Sequence, residues 1–201
     1  VKTNSWVKRE TIRDGGRELV GRVARAVVLL VALGCGKTHA SDAASVTGST
    51  GLAHGVGAPV DFRFDSLDEQ PVSAEATRGK PLVLTFVTTS NLAAQAQVDF
   101  LVAMARHDGD RVNYAVVALE QHDNRELVEL YKKALSIPFP VALADAQTLA
   151  GRGVFGDVSA VPVTVVLDRL GRVAWRVDGR VARSQELRAA LRGLPTRSEV
   201  R

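Results

Sequence analysis

Residues 81–107, PLVLTFVTTSNLAAQAQVDFLVAMARH, constrain the fold more than any other stretch of this chain. Pro81 is followed by the apolar, partly β-branched run Leu82–Val87. An uninterrupted run of that length is the pattern of a strand covered on both faces. Thr88, Thr89, Ser90 and Asn91 end the run. From Leu92 the period changes: Leu92, Ala96, Phe100 and Met104 recur at every fourth position, flanked by Leu101 and Val102, which predicts one apolar face of a long helix. Asn91 stands where that helix begins, and asparagine is among the best residues to accept a hydrogen bond from a free N–H of a first turn.

Beyond this unit, 59–64 alternate as a half-exposed strand, 65–70 form a turn and 71–73 a short second strand. Residues 112–119 predict another buried strand and 124–135 a helix with Leu127, Val128, Leu130, Tyr131 and Leu135 as its apolar set. Residues 146–152 predict a helical turn ending at Gly153. A strand then runs from Val161, turns at Gly171 and returns through Trp175 and Val177, and 183–194 close the chain as an amphipathic helix. Strands alternating with helices place the chain in the α/β class.

The N-terminal part has a different character. Arg17, Arg22 and Arg25 precede the apolar stretch 26–33, which is short of the about 20 residues that span a bilayer and has the length of a signal-peptide core. It ends at Ala32-Leu33-Gly34-Cys35, and Cys35 is the only cysteine of the 201 residues. This sequence resembles a bacterial lipobox, which implies lipidation of Cys35 and attachment to a membrane. Gly34-Cys35-Gly36-Lys37-Thr38 is not a phosphate loop, because Val31 stands where that loop needs a glycine and no helical pattern follows. Residues 36–57 are rich in Gly, Ser, Thr and Ala and predict a flexible tether, in which His39 and His54 are solvated. The expected organisation is a signal segment 1–35, a linker 36–57, a folded domain 58–195 and a tail 196–201.

The net charge of +4 sits entirely in the leader. Residues 1–34 hold seven Lys/Arg and three acids, and the remaining 19 basic and 19 acidic residues balance. A neutral body argues against a nucleic-acid partner, which requires a basic face. One cysteine excludes an internal disulfide, a Cys-x-x-Cys pair and a multi-cysteine zinc site.

The ordered set of Ala58-Pro59, Asp61-Phe62, Leu67-Asp68, Pro71-Val72-Ser73, Arg78-Gly79-Lys80-Pro81, Ile137-Pro138-Phe139-Pro140-Val141 and Val161-Pro162 with Asp168 and Gly171 resembles the thioredoxin-like TlpA/ResA-type thiol:disulfide interchange lipoproteins, within the broader redoxin group that includes AhpC/TSA-like proteins. The resemblance implies a thioredoxin-like fold: a central mixed β-sheet flanked by helices, with an N-terminal β-hairpin extension. It also implies an exported, membrane-anchored protein facing the periplasm or cell exterior. In that family the turn before the long helix carries Cys-x-x-Cys, and the helix N-terminus favours the thiolate of the first cysteine. Here Asn91 and Ala94 occupy the two cysteine positions, Ser90 replaces a tryptophan, Gln97 a glutamate and Asp99 a proline. No catalytic residue remains by this alignment, and no cofactor or metal is implied.

The family's Val-Pro bond, Val161–Pro162 here, is cis and lies against the active-site turn, where the residue before proline offers backbone groups to an extended substrate. Such a groove needs no thiol, so Ser90, Asn91, Leu92, Ala93, Val161 and Pro162 form the candidate binding groove for a protein or peptide partner. Two further assignments compete. One is an oxidoreductase-family protein working with another protein's cysteines. The other is a degenerate relative of Sco-type copper-assembly proteins, whose ligand positions would fall on Asn91, Gln95 and Val158, none of them a copper ligand. His107 and His122 are too far apart in sequence to count as a ligand pair. Glu120, at the end of a predicted strand near the turn, is read as an ordinary surface acid.

Overall fold

The computed structural model describes residues 57–195. The signal segment, Cys35 and almost all of the linker lie outside the described residues, as does the tail. Seven strands form one mixed sheet: β1 Arg63–Ser66, β2 Val72–Ser73, β3 Leu82–Val87, β4 Asn113–Ala118, β5 Val141–Leu143, β6 Val163–Leu167 and β7 Val173–Val177, in the order β2-β1-β5-β4-β3-β6-β7. The helices are α1 Ala74–Thr77, α2 Leu92–Asp108, α3 Arg125–Ala134, α4 Ala146–Leu149 and α5 Ser184–Arg192. β3, β4 and β5 run parallel, while β6 and β7 add antiparallel on one side and the β1–β2 hairpin adds antiparallel to β5 on the other. This is the thioredoxin-like α/β architecture with an N-terminal hairpin extension.

β3 is central and wholly buried, as its unbroken apolar run requires. Its alternate residues feed two cores. Val83 and Val87 join the cluster built with α2, α3 and α5, while Leu82, Leu84 and Phe86 face the cluster of Phe62, Phe64, Phe155 and Val163. In the second cluster the rings of Phe62, Phe64, Phe86 and Phe155 lie 5.3–6.4 Å apart. The one polar side chain of β3, Thr85, is matched across the ladder by Thr164, with hydroxyls 3.1 Å apart.

Several expected boundaries shift. The first strand starts at Arg63 and includes Asp65 and Ser66, because these two pair with Leu143 and Ala142 of β5. The larger correction concerns α2. Its buried face is Ala94, Val98, Leu101, Val102 and Met104 together with Gln97 and Asp108, whereas Leu92 is 79% exposed and Phe100 45% exposed. A strict four-residue repeat drifts about 40° per step around a 3.6-residue helix, so 92, 96, 100 and 104 cannot share one face. Leu127 and Leu130 of α3 are likewise exposed, and only Val128 and Tyr131 of the expected set are buried.

Candidate functional site

The candidate site is the turn between β3 and α2. Leu119 N–H donates to the Val87 carbonyl at 2.7 Å, which ties the end of β3 to the segment leaving β4. The chain then turns through Thr88–Asn91, and Asn91 caps α2: its side-chain oxygen accepts from Ala94 N–H at 2.9 Å and its carbonyl accepts from Gln95 N–H at 3.0 Å. Gln95 in turn donates from its side-chain amide to the Thr89 carbonyl at 3.2 Å. The cap anticipated at Asn91 is therefore present. Of the two positions aligned with the family's cysteines, Asn91 is half-buried and Ala94 fully buried.

Glu120 is not an ordinary surface acid. It is half-buried, and its Oε1 accepts from Thr89 N–H at 3.1 Å and from the Thr89 hydroxyl at 2.7 Å. A carboxylate holding both groups of one residue fixes the turn from the neighbouring strand end. The parallel register of β3 and β4, Val87 opposite Ala118, brings Glu120 there. A reading of single positions could not see that Thr89 would supply both donors.

The Val161–Pro162 bond is cis. Pro162 immediately precedes Val163, which pairs with Phe86, so this loop lies at the same end of the sheet as the Thr88–Asn91 turn. The loop is held from behind, with Gly179 N–H donating to the carbonyls of Ala160 and Pro162 at 2.6 and 3.1 Å. Asp157 accepts from Ser159 N–H at 2.9 Å, and that bond holds its carboxyl below the usual carboxylate range. Val161 N–H is already engaged by the Ser159 carbonyl at 3.0 Å. Of the two backbone groups expected to meet an extended segment, only the Val161 carbonyl has no partner among the described residues. Ser90 and Leu92 are exposed, Ala93 and Val161 half-buried and Pro162 buried.

Gln97, one turn further along α2, is fully buried, and its Oε1 accepts from Ala182 N–H at 2.5 Å while its Nε2 has no partner. A neutral amide occupies this interior without the cost of burying a charge. His107 and His122 lie at opposite ends of the sheet, His107 near the C-terminus of α2 and His122 beyond β4, where its ring nitrogen is 3.4 Å from Asp65. Among the described residues no group of three or more His, Cys, Asp or Glu is placed to hold a metal ion. The turn itself offers an amide, hydroxyls and backbone donors, and no thiol, the group whose thiolate begins thiol–disulfide exchange.

Comparison with solved structures defines the class. The chain is similar to a thio-disulfide isomerase from Thermus thermophilus at 31% identity, over 70% of this chain and 98% of that one, with a TM-score of 0.54. It is similar in fold to a DsbF homologue from Corynebacterium diphtheriae (23% identity, 68% and 86% covered, TM-score 0.58) and to a secreted thiol-disulfide isomerase from Corynebacterium glutamicum (18%, 66% and 82%, TM-score 0.54). No family model and no curated protein matches the chain. On its fold and its likeness to the Thermus protein, the chain belongs to the thioredoxin-like thiol:disulfide oxidoreductase family. Within that family its own sequence has no cysteine after Cys35.

Proposed function

We propose that this protein is a non-catalytic, extracytoplasmic member of its family that binds an extended protein or peptide segment at the β3–α2 turn. The observation that carries the proposal is the occupant of the helix start. Asn91 caps α2 through Ala94 N–H, so the site is locally well formed although no thiol is present. Leu92, 79% exposed beside the cap, supplies an apolar contact, and the Val161 carbonyl supplies an acceptor for a partner's backbone N–H. Ser90, Asn91 and Ala93 complete the groove with Pro162. The lipobox-like Cys35 and the linker after it attach the domain to a membrane as a lipoprotein facing the periplasm or cell exterior, and the secreted Corynebacterium neighbour is in keeping with that location. The domain limits proposed with this role remain 36–57 for the linker and 58–195 for the folded part.

The test is a titration of the purified protein with a permanently unfolded, cysteine-blocked polypeptide, followed by amide chemical shifts, beside an insulin-reduction assay. The expected result is saturating shifts at 88–93 and 160–161 with no insulin reduction. An absence of shifts there overturns the binding role, and insulin reduction without an added thiol protein overturns the non-catalytic one. In the alternative function, catalysis with another protein's cysteines, insulin reduction would appear only when that thiol partner is supplied.

A further inference from the structure

The neutral body hides an uneven distribution of charge. Beyond the C-terminal ends of β4 and β5, a cavity of about 470 Å³ is lined by Asp65, Asp68, Glu69 and Asp145 together with Arg63 and His122, and Asp65 and Asp68 are paired with Arg125 and Lys132. At the opposite end, where β3 and β4 begin and β6 finishes, Arg111, Arg169, Arg188 and Arg192 line one cleft of about 350 Å³. The four come from separate parts of the chain: the segment before β4, the turn after β6, and two successive turns of α5.

The cleft has one carboxylate, Asp108, and it is largely committed. Its side chain is 10% exposed and accepts the Tyr114 hydroxyl at 2.5 Å, and its other oxygen lies 3.8 Å from Arg111 and 3.9 Å from Arg188, beyond hydrogen-bond length. Arg111 also donates to the carbonyls of Asp108 at 3.1 Å and His107 at 3.3 Å. Arg169 and Arg192 have no side-chain hydrogen bond or ion pair among the described residues. Arg111 and Arg188 share this one carboxylate, so the four guanidinium groups of the cleft carry excess positive charge, and a concave site focuses that field. An anion with several acceptor oxygens offsets that excess, and planar guanidinium forks match phosphate oxygens in pairs.

We propose that this cleft binds a phosphate group, carried by a membrane phospholipid or free in solution. The site is separate from the β3–α2 turn. The six residues of β3 lie between them, about 20 Å at strand rise, so both can be occupied at once. If the phosphate belongs to a lipid, the turn faces away from the membrane.

Two arms distinguish the sources. In the first, the full chain is sedimented with phosphatidylcholine vesicles with and without phosphatidylglycerol, and the readout is the increment that the anionic lipid adds. The leader's seven Lys/Arg are also drawn to the anionic lipid, so the increment is compared between the parent and variants that share the leader. In the second, inorganic phosphate is titrated while arginine Nε–H signals are followed. Replacing Arg169→Gln together with Arg192→Gln should weaken binding in the responding arm, by about thirtyfold for vesicles. Lys133→Gln with Arg152→Gln removes the same charge elsewhere and should leave it within a fewfold. A vesicle increment lost in the double variant, with no response to inorganic phosphate, assigns a lipid phosphate, and saturation by inorganic phosphate assigns a free one. Arg111→Gln serves as the second variant if the double replacement lowers the melting temperature. No response to inorganic phosphate together with a vesicle increment unchanged in the double variant, or an equal loss in the control pair, overturns the proposal.

Discussion

Replacing Asn91→Ala isolates the cap that shapes the candidate site. The substitution removes the oxygen that accepts from Ala94 N–H at 2.9 Å. Ala94 is fully buried, yet Asn91 itself is only half-buried, so water can partly replace the lost acceptor. The loss therefore falls within the measured range for caps, about 1–2 kcal/mol, rather than at the full penalty of an orphaned buried donor. For a domain of about 140 residues this corresponds to a melting temperature lower by about 3–7 °C. Asn91→Asp keeps the acceptor and adds a negative charge at the positive end of a 17-residue helix. It should match or exceed the parent by up to about 1 kcal/mol at neutral pH. Urea unfolding of the parent and both variants, with equal slopes, gives the comparison. If Asn91→Ala is as stable as the parent, or Asn91→Asp is the least stable of the three, the helix is not held by this cap.

Glu120→Ala should lower stability by about 1–3 kcal/mol, because Thr89 loses the acceptor of both its N–H and its hydroxyl, and Glu120→Gln should restore about half of that loss; unchanged urea midpoints would show that the turn is fixed by other contacts. Arg180 beside Glu186, with the Arg183 N–H, holds the Glu186 carboxyl below its ordinary 4.5. Its contribution is present above that ordinary value and fades as pH falls through the lower folded-state value, so Glu186→Gln should flatten the acid limb of a stability–pH profile, and identical limbs would contradict this. Cys35→Ser should release the protein from the membrane fraction or stall its processing, and unchanged fractionation with unchanged mature mass would refute lipid anchoring.

The sequence made β3 legible to the residue, since an apolar run closed by four polar residues has few other uses. The cap at Asn91 was equally readable, because capping is local. The face of α2 was not. Gln97 and Asp108 are polar residues on its buried side, bonded to Ala182 N–H, 85 positions away, and to Tyr114 of the next strand, while apolar Leu92 and Phe100 stand outside. The hydrophobic pattern was thus inverted where tertiary partners decide. The arginine cleft left no trace in composition, since Arg111, Arg169 and the Arg188–Arg192 pair come from parts of the chain distant in sequence and the body as a whole is neutral. Glu120 was visible as a nearby acid, but its bond to Thr89 depends on strand register.

On the proposed reading, the β3–α2 turn is a family redox site whose thiols have been replaced. Residues three apart on a first helical turn have Cα atoms about 5–6 Å apart, within reach of a disulfide. The first position, half-buried beside the free N–H groups of the helix start, would lower a thiol's pKa below about 8.5. The second is fully buried, and fitting a sulfur at Ala94 costs about 1–3 kcal/mol of overpacking, which a domain of ordinary stability tolerates. Thiol titration of the Asn91→Cys, Ala94→Cys variant under mild oxidant, followed by an insulin-reduction assay, measures the claim directly. The expected outcome is loss of both free thiols into one intramolecular disulfide and a gain of reductase activity over an inactive parent. Two thiols that stay free in a folded domain would contradict it and would remove Asn91 from the position of the family's nucleophile.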